Sequence, residues 1–375
     1  MKEFVDKIDV LLDAGCPFAL YFYPGSQKPE LVFQENRTLE TVNSIHQLDG
    51  KKAFVMAPFH VSEDEPIICI EPDEVLHGYK SIMQFKVPVD VKLDNQWEEI
   101  SALSGGQSEE KEEYTQKIES LVQDIQQGKF AKVVFARSIE ETFNPNCQLG
   151  NLLLELKKKA DQAFVYMVNL PGRAVWVGAT PEIILEKQGD WLKTVALAGT
   201  IDAQNNQSEW SDKEIKEQQF VVDFVRDQLR KNGVERYKAS ERETVIAGNV
   251  AHLKTNFVFS EVDLKNDLVA LLEDLHPTPA VCGLPKEDAR DYILDREVHN
   301  RAYYSGFIGP WYVSDDACRL FVNLRCMKLT RGNAQIFVGG GITAGSDAAR
   351  EWRETELKAT NLQLVLKKYG SENII

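Results

Sequence analysis

The sequence predicts an α+β protein whose sheets are largely antiparallel and whose helices pack outside them. Two observations lead there. Short β-branched and aromatic runs follow one another across short turns, without the regular alternation with helices that a parallel sheet requires. Between some of them lie segments with apolar residues at three- and four-residue spacing, the pattern of amphipathic helices. A third observation bears on size. At 375 residues the chain can bury a large core, as one duplicated domain or as two ordinary ones.

The elements follow in order. MKEFVDKIDVLLDAG mixes acids into its first turns and reads as an amphipathic helix, not a secretory signal. Phe18–Tyr23 before Pro24-Gly25 reads as a strand and turn, and residues 52–56 and 67–70 as two more strands. Ser101–Glu113 is polar, glycine-containing and charged, the composition of a linker. It divides residues 1–110, an N-terminal part of the fold, from residues 111–370. Tyr114, Ile118, Leu121, Val122 and Ile125, followed by Gly128, predict a helix with a glycine stop. Strands are expected at 131–137, 164–168, 174–177, 183–185, 320–324 and 334–338, and helices at 213–231, 286–293 and 348–368.

Composition narrows the function. Hydrophobic residues make up 43% and charged residues 27%, a globular balance. No run approaches the ~18 apolar residues of a membrane span. With 43 Lys+Arg against 58 Asp+Glu and a net charge of −15, the balance disfavours a nucleic-acid footprint, which would need a basic face. An anionic substrate would need local positive charge against that background. Cys16, Cys69, Cys147, Cys282, Cys318 and Cys326 form no C-x-x-C pair and no zinc spacing with histidine. They are expected as reduced thiols in a cytoplasmic protein.

Several residue groups could carry chemistry. Glu214 and Glu217 stand three apart on one expected helix face, and Glu351 and Glu354 on another, with Lys358 one turn on. Each pair is either a solvated surface or a set of hard oxygen ligands for a divalent cation. Val338-Gly-Gly-Gly-Ile342 is either a turn or bulge, or a place where a ligand approaches bare backbone. Lys132, between apolar neighbours, is either an exposed strand residue or a base. Glu182 and His252 are equally open. His276-Pro-Thr-Pro-Ala280 predicts a stiff, non-helical segment.

Their order along the chain decides between these readings. KVVFARS, GATPEIIL, LAGT, KEIKEQQFVV, NVAHL, HPTPAVCGLP, YYSGFIGPW, VNLRCMK, VGGGI and EWRETELK, from about Tyr114 to Lys368, together resemble the chorismate-binding enzymes. That family includes isochorismate, salicylate, anthranilate and aminodeoxychorismate synthases. The resemblance implies a duplicated α+β unit with two facing sheets and an active-site cleft between the halves. It implies chorismate as substrate and Mg²⁺ as cofactor. Glu217 and Glu354 would ligate the ion, with Glu214 and Glu351 as outer acids. The family commonly has Glu-His where this chain has Glu217-Gln218. Arg325 and Tyr304, helped by the backbone N–H of Gly339, would bind the enolpyruvyl carboxylate. Lys358 would face the ring carboxylate and Gly199 the leaving 4-hydroxyl, with Thr200 and His252 lining the pocket.

The same resemblance separates the members. Those that add water to C2 carry lysine where this chain has Lys132, whereas ammonia users generally carry glutamine. Aminodeoxychorismate synthases place a nucleophilic lysine where this chain has Ala198. Salicylate synthases commonly close the H-P-T-P block with threonine, here Ala280. Conversion of chorismate to isochorismate is therefore expected, with Lys132 as base and Glu182 as acid, their pKa values displaced in opposite directions by burial. No obligatory protein partner, nucleic acid or membrane is expected.

Overall fold

Two large antiparallel sheets lie face to face, and helices cover both outer faces. The computed structural model describes residues 1–88, 110–203, 210–247, 250–314 and 316–370. Most of the expected linker, residues 101–109, lies outside the described residues. Its last residues, Lys111–Glu113, are the first turn of a helix.

The N-terminal segment forms α1 (Lys2–Asp13), β1 (Phe18–Phe22), β2 (Glu30–Phe33), β3 (Glu40–Val42), β4 (Ala53–Ala57), β5 (Ile67–Ile70), β6 (Glu74–His77) and α2 (Gly78–Gln84). Then come α3 (Lys111–Gln126), β7 (Lys132–Thr142), α4 (Leu149–Lys159), β8 (Phe164–Leu170), β9 (Ala174–Thr180), β10 (Ile183–Gln188) and β11 (Trp191–Asp202). The chain continues through α5 (Asp212–Lys231), β12 (Lys238–Ala239), β13 (Glu243–Ala247), β14 (Val250–Ser260), α6 (Leu268–Leu275), β15 (Gly283–Leu284) and α7 (Lys286–Arg296). It ends in β16 (Phe307–Trp311), β17 (Ala317–Val322), β18 (Cys326–Thr330), β19 (Asn333–Ile342) and α8 (Ala348–Gly370).

The first sheet runs β15-β7-β19-β18-β9-β8-β1-β2-β6, and the second runs β12-β14-β11-β10-β17-β16-β4-β5-β3, with β13 also paired to β14. Residues 1–88 thus supply the three strands at one edge of each sheet. All the described pairings are antiparallel.

Side-chain alternation fixes the layers. Phe18, Leu20 and Phe22 of β1 pack with α1, α4 and α8, whereas Ala19 and Tyr21 point into the space between the sheets. In the facing sheet Phe54 and Met56 of β4 enter that same space, while Val55 and Ala57 pack outward with α5 and α6. A strand buried on both faces reads as a continuous apolar run. That is why the expected short strands are real, and why they carry no alternating polar residues. Phe164 and Phe321 stack at 4.2 Å between the sheets, and Trp176 stacks on Phe337 at 5.5 Å. No helix among the described residues is long and apolar enough to cross a membrane.

Candidate active site

The cleft is built where β7 and β19 run side by side. Their register sets Gly339 opposite Ala136, Gly340 opposite Phe135, Gly341 opposite Val134 and Ile342 opposite Val133. The three glycines are therefore strand interior. The turn or bulge reading is corrected here: the ladder continues through them to Ile342. Their purpose is space. A Cβ on Gly341 would collide with Glu217 Oε1 and come within 2.8 Å of Lys132 Cε. A Cβ on Gly340 would stand 3.0 Å from Glu351 Oε2 and 3.9 Å from Glu354 Oε1. Bare backbone here admits charged side chains from three other elements.

Those charges come as acid–lysine pairs. Lys132, at the start of β7 and with no exposed side-chain surface, stands 2.9 Å from Glu217 Oε1. Lys213 stands 2.7 Å from Glu351, and Lys358 stands 2.7 Å from Glu354 and donates to Gly339 O at 2.7 Å. Burial alone would raise the Glu217 carboxyl, but Lys132 and Lys213 outweigh it and hold the group below its ordinary value. Glu351 goes the other way, because burial and the neighbouring Glu354 outweigh Lys213. Burial disfavours the Lys213 ammonium, yet Glu351 and the other acids raise its pKa overall. The expected surroundings of Lys132 were apolar; a carboxylate partner stands there as well.

The opposite wall belongs to the second sheet. Gly199 sits at an irregularity in β11 with φ +73°, and a Cβ there would meet the backbone oxygen of Glu214 at 3.0 Å. Its carbonyl meets His252 Nδ1 at 2.9 Å, and Thr200 Oγ1 stands 3.3 Å from the same nitrogen. His252 Nε2 stands 3.0 Å from an Arg325 Nη2. A guanidinium can only donate, so Nε2 accepts and Nδ1 carries the proton given to Gly199 O. Burial, then Arg325 and Lys358, push the His252 pKa down to about 3, which agrees with a neutral ring. Arg325 adopts φ +50° and is half-buried. Tyr304 stacks on Phe337 at 5.3 Å, and burial raises its phenol to about 12.

Glu182 closes the set. It is 2% exposed, and its Oε1 finds no hydrogen-bond partner among the described residues. Burial raises its pKa from 4.5 to about 8, opposed by the charge of Lys132. It is therefore a carboxylic acid at neutral pH, able to give a proton. Glu182, Gly199, Thr200, Glu217, His252, Tyr304, Arg325, Gly339 and Lys358 all line one cleft. Lys132 stands behind Glu217, and Glu351 and Glu354 stand behind Gly340. Glu214 is the exception: its carboxylate accepts from Ser211 Oγ at the head of α5, and its described contacts include none of the other three acids.

Sequence reasoning missed Lys213, whose partner lies 138 positions away, and the steric role of Gly340 and Gly341. A cation one position ahead of an acid pair at a helix start was the available signal for Lys213.

The donor set suits the divalent cation that the resemblance implies. Carboxylates of Glu217, Glu351 and Glu354 border the two glycines, and Glu351 Oε2 is buried without a hydrogen-bond partner among the described residues. As placed, each acid faces a lysine, and no group of three metal-binding side chains is gathered among the described residues. Holding an ion therefore means drawing these carboxylates from their lysines.

A family model for chorismate-binding enzymes matches residues 51–367, and the chain belongs to that family. Isochorismate synthase EntC of Escherichia coli K12 is 29% identical over 240 residues, 62% of this chain and 61% of that protein. Isochorismate synthase MenF of Bacillus subtilis is 27% identical over 312 residues, 80% of this chain and 64% of that protein. The matched part of the chain thus spans about three fifths of the length of these relatives. DhbC from Bacillus anthracis shares the fold, with a TM-score of 0.75 at 22% identity, covering 96% of this chain and 99% of that one. Escherichia coli MenF, a menaquinone-specific isochorismate synthase, superposes with a TM-score of 0.74 at 22% identity, covering 93% and 88%.

Proposed function

We propose that this chain is an isochorismate synthase, an isomerase that converts chorismate to isochorismate for menaquinone or siderophore biosynthesis. The observation that carries the reading is Glu182. A buried, protonated carboxyl lines the cleft, and a departing hydroxyl needs such a proton donor. The relatives named as isochorismate synthases support the same reading. Ala198 leaves no lysine for a covalent intermediate, and Lys132 stands where a water-adding member carries its base.

In the reaction Lys132, in its neutral form, takes a proton from water as the oxygen bonds to C2 of chorismate. The C1–C2 double bond moves to C1–C6, and the C5–C6 double bond moves to C4–C5. The 4-hydroxyl leaves with the proton of Glu182, so one water enters and one departs. An ammonium paired with a carboxylate is not a base, so Lys132 must give up its contact with Glu217 before it acts. Arg325, oriented by His252, and Tyr304, fixed by Phe337, hold the enolpyruvyl carboxylate. Lys358 neutralises the ring carboxylate. Glu217 and Glu354, with Glu351 behind them, would hold Mg²⁺, which supplies charge neutralisation at that carboxylate. With Glu182 neutral, Lys132, Lys213 and Lys358 balance Glu217, Glu351 and Glu354, and Arg325 tips the cleft positive, so the local field suits an anion despite the net charge of the whole chain. We place the reaction in the cytoplasm and without an obligatory protein partner.

The test is incubation with chorismate and Mg²⁺ and chromatographic identification of the product. Isochorismate is expected, unchanged by glutamine or ammonium. Anthranilate formed with ammonium, or salicylate formed with pyruvate, would replace this reading with another member of the family.

A further inference from the structure

The loop between α7 and β16 carries Tyr304, and its backbone is strained. Ala302 and Ser305 adopt φ +45° and +64° without being glycine. Such conformations persist only where surrounding contacts over-determine them. Ala302 N–H donates to Asn300 Oδ1 at 2.7 Å, Ser305 N–H donates to Asn323 O at 2.9 Å, and a buried ion pair anchors the start of the loop. Arg301 and Glu297 are 3% and 2% exposed. The guanidinium donates to Glu297 Oε2 at 2.7 Å, to Val281 O at 2.8 Å and to Val134 O at 2.8 Å. Glu297 Oε1 accepts from the backbone N–H of Ala136 at 2.7 Å. The Arg301 carbonyl accepts from Tyr304 N–H at 2.8 Å. Arg301 also lies over the Phe59 ring at 4.4 Å and near the Tyr304 ring at 5.8 Å.

Three of these partners, Val134, Val281 and Tyr304, line the cleft. Val134 and Ala136 lie on β7 just beyond Lys132, where the short β15 pairs only with residues 132 and 133. From Val134 onward, that edge of β7 leans on Cys282 and this ion pair instead of a strand.

We propose that Glu297 and Arg301 are positioning residues, a buried clamp that sets the strand bearing Lys132 against the loop bearing Tyr304. Neither lines the cleft. The guanidinium fork reaches two carbonyls and a carboxylate at once, a task that lysine's single ammonium cannot perform. A pair that served stability alone would be replaceable by apolar residues of similar volume, since buried pairs are often neutral in that exchange. A clamp would not be replaceable.

The inference rests on the proposed activity for its kinetic test, so a first readout is independent of substrate. The variant Arg301→Met/Glu297→Leu removes both charges, and Arg301→Lys keeps the charge without the fork. Hydrogen exchange should accelerate in residues 132–137 and 300–306 in both variants, while the thermal midpoint of the double variant stays within a few degrees of the parent. With chorismate, both variants should lose at least about tenfold in kcat, through Lys132, and raise KM several-fold, through Tyr304, as a displaced site does. Unchanged exchange in 132–137 overturns the clamp whatever the activity. Kinetics within twofold of the parent in the folded double variant overturn it as well. A parent enzyme that leaves chorismate untouched would refute the proposed reaction, and the exchange result would still decide the clamp. If the double variant fails to fold, Arg301→Lys carries the same two readouts.

Discussion

At the scale of one residue, Glu182 carries the proposed chemistry. Its pKa is raised, so the folded protein holds a proton that the unfolded chain releases at 4.5. Stability from this group is full below 4.5 and is lost as pH climbs to about 8. Activity should fall through the same upper limit, because the acid is then spent. Glu182→Gln should cut turnover by ~10²–10⁴. It should also melt at a temperature that gains on the parent from pH 6 to pH 9. A parallel pair of melting curves across that range would remove the raised pKa from the account. Lys132→Ala should lose water addition with chorismate still bound, which equilibrium binding checks directly. The acids make the third test. Activity should vanish in EDTA and return with Mg²⁺, and Glu217→Gln or Glu354→Gln should abolish it, since each deletes a charged oxygen donor. Undiminished turnover in chelator would exclude the metal. His252, already neutral, should contribute no inflection near pH 6.5.

At the scale of elements, β19 shows what the sequence disclosed and what it concealed. The spacing of Glu214, Glu217, Glu351 and Glu354 was legible because three-residue separation on a helix is a local fact. So were the apolar strands and the long helices α5 and α8, whose expected limits fall within two residues of those found. The pairing of Lys132 with Glu217 was not, since it depends on β7 meeting α5 across 85 positions. Gly339–Gly341 misled because glycine signals a turn by its freedom, whereas here it is used for its missing side chain. The long strands β11 and β14 escaped because polar residues interrupt their apolar runs. The β19 glycines yield a sharp expectation. Gly341→Ala should cost roughly 1–3 kcal/mol from overpacking and about 10²-fold in turnover by pushing Glu217 and Lys132 apart. An active Gly341→Ala enzyme with normal metal dependence would show that the gap has no part in arranging those charges. Gly345, where an added Cβ would meet nothing within 4 Å, is the control position.

Across the whole molecule, residues 1–88 are structural members of both sheets, not an appendage. β1 covers the edge of β8 in one sheet, and β4 covers the edge of β16 in the other. Phe4, Ile8 and Phe22 pack with α4 and α8 in a shared core. A chain beginning at Lys111 should therefore expose two hydrophobic edges and lose cooperative melting, binding a hydrophobic dye instead. A sharp calorimetric transition in that fragment would show that the C-terminal region stands alone.

The pairing of β7 with β19 joins residues 133–142 to residues 333–342. In a growing chain the earlier strand is synthesised about two hundred residues before its neighbour exists, some ten to forty seconds at ordinary elongation speeds of ~5–20 residues per second. Through that interval one edge of β7 stays open and Lys132 has no groove to occupy. The acids of α8 arrive last of all. Assembly of the cleft is thus a terminal event of synthesis. A nascent chain halted before residue 333 would hold Lys132 and Glu182 yet lack the cleft, and its open strand edge would be the natural place for a chaperone to bind.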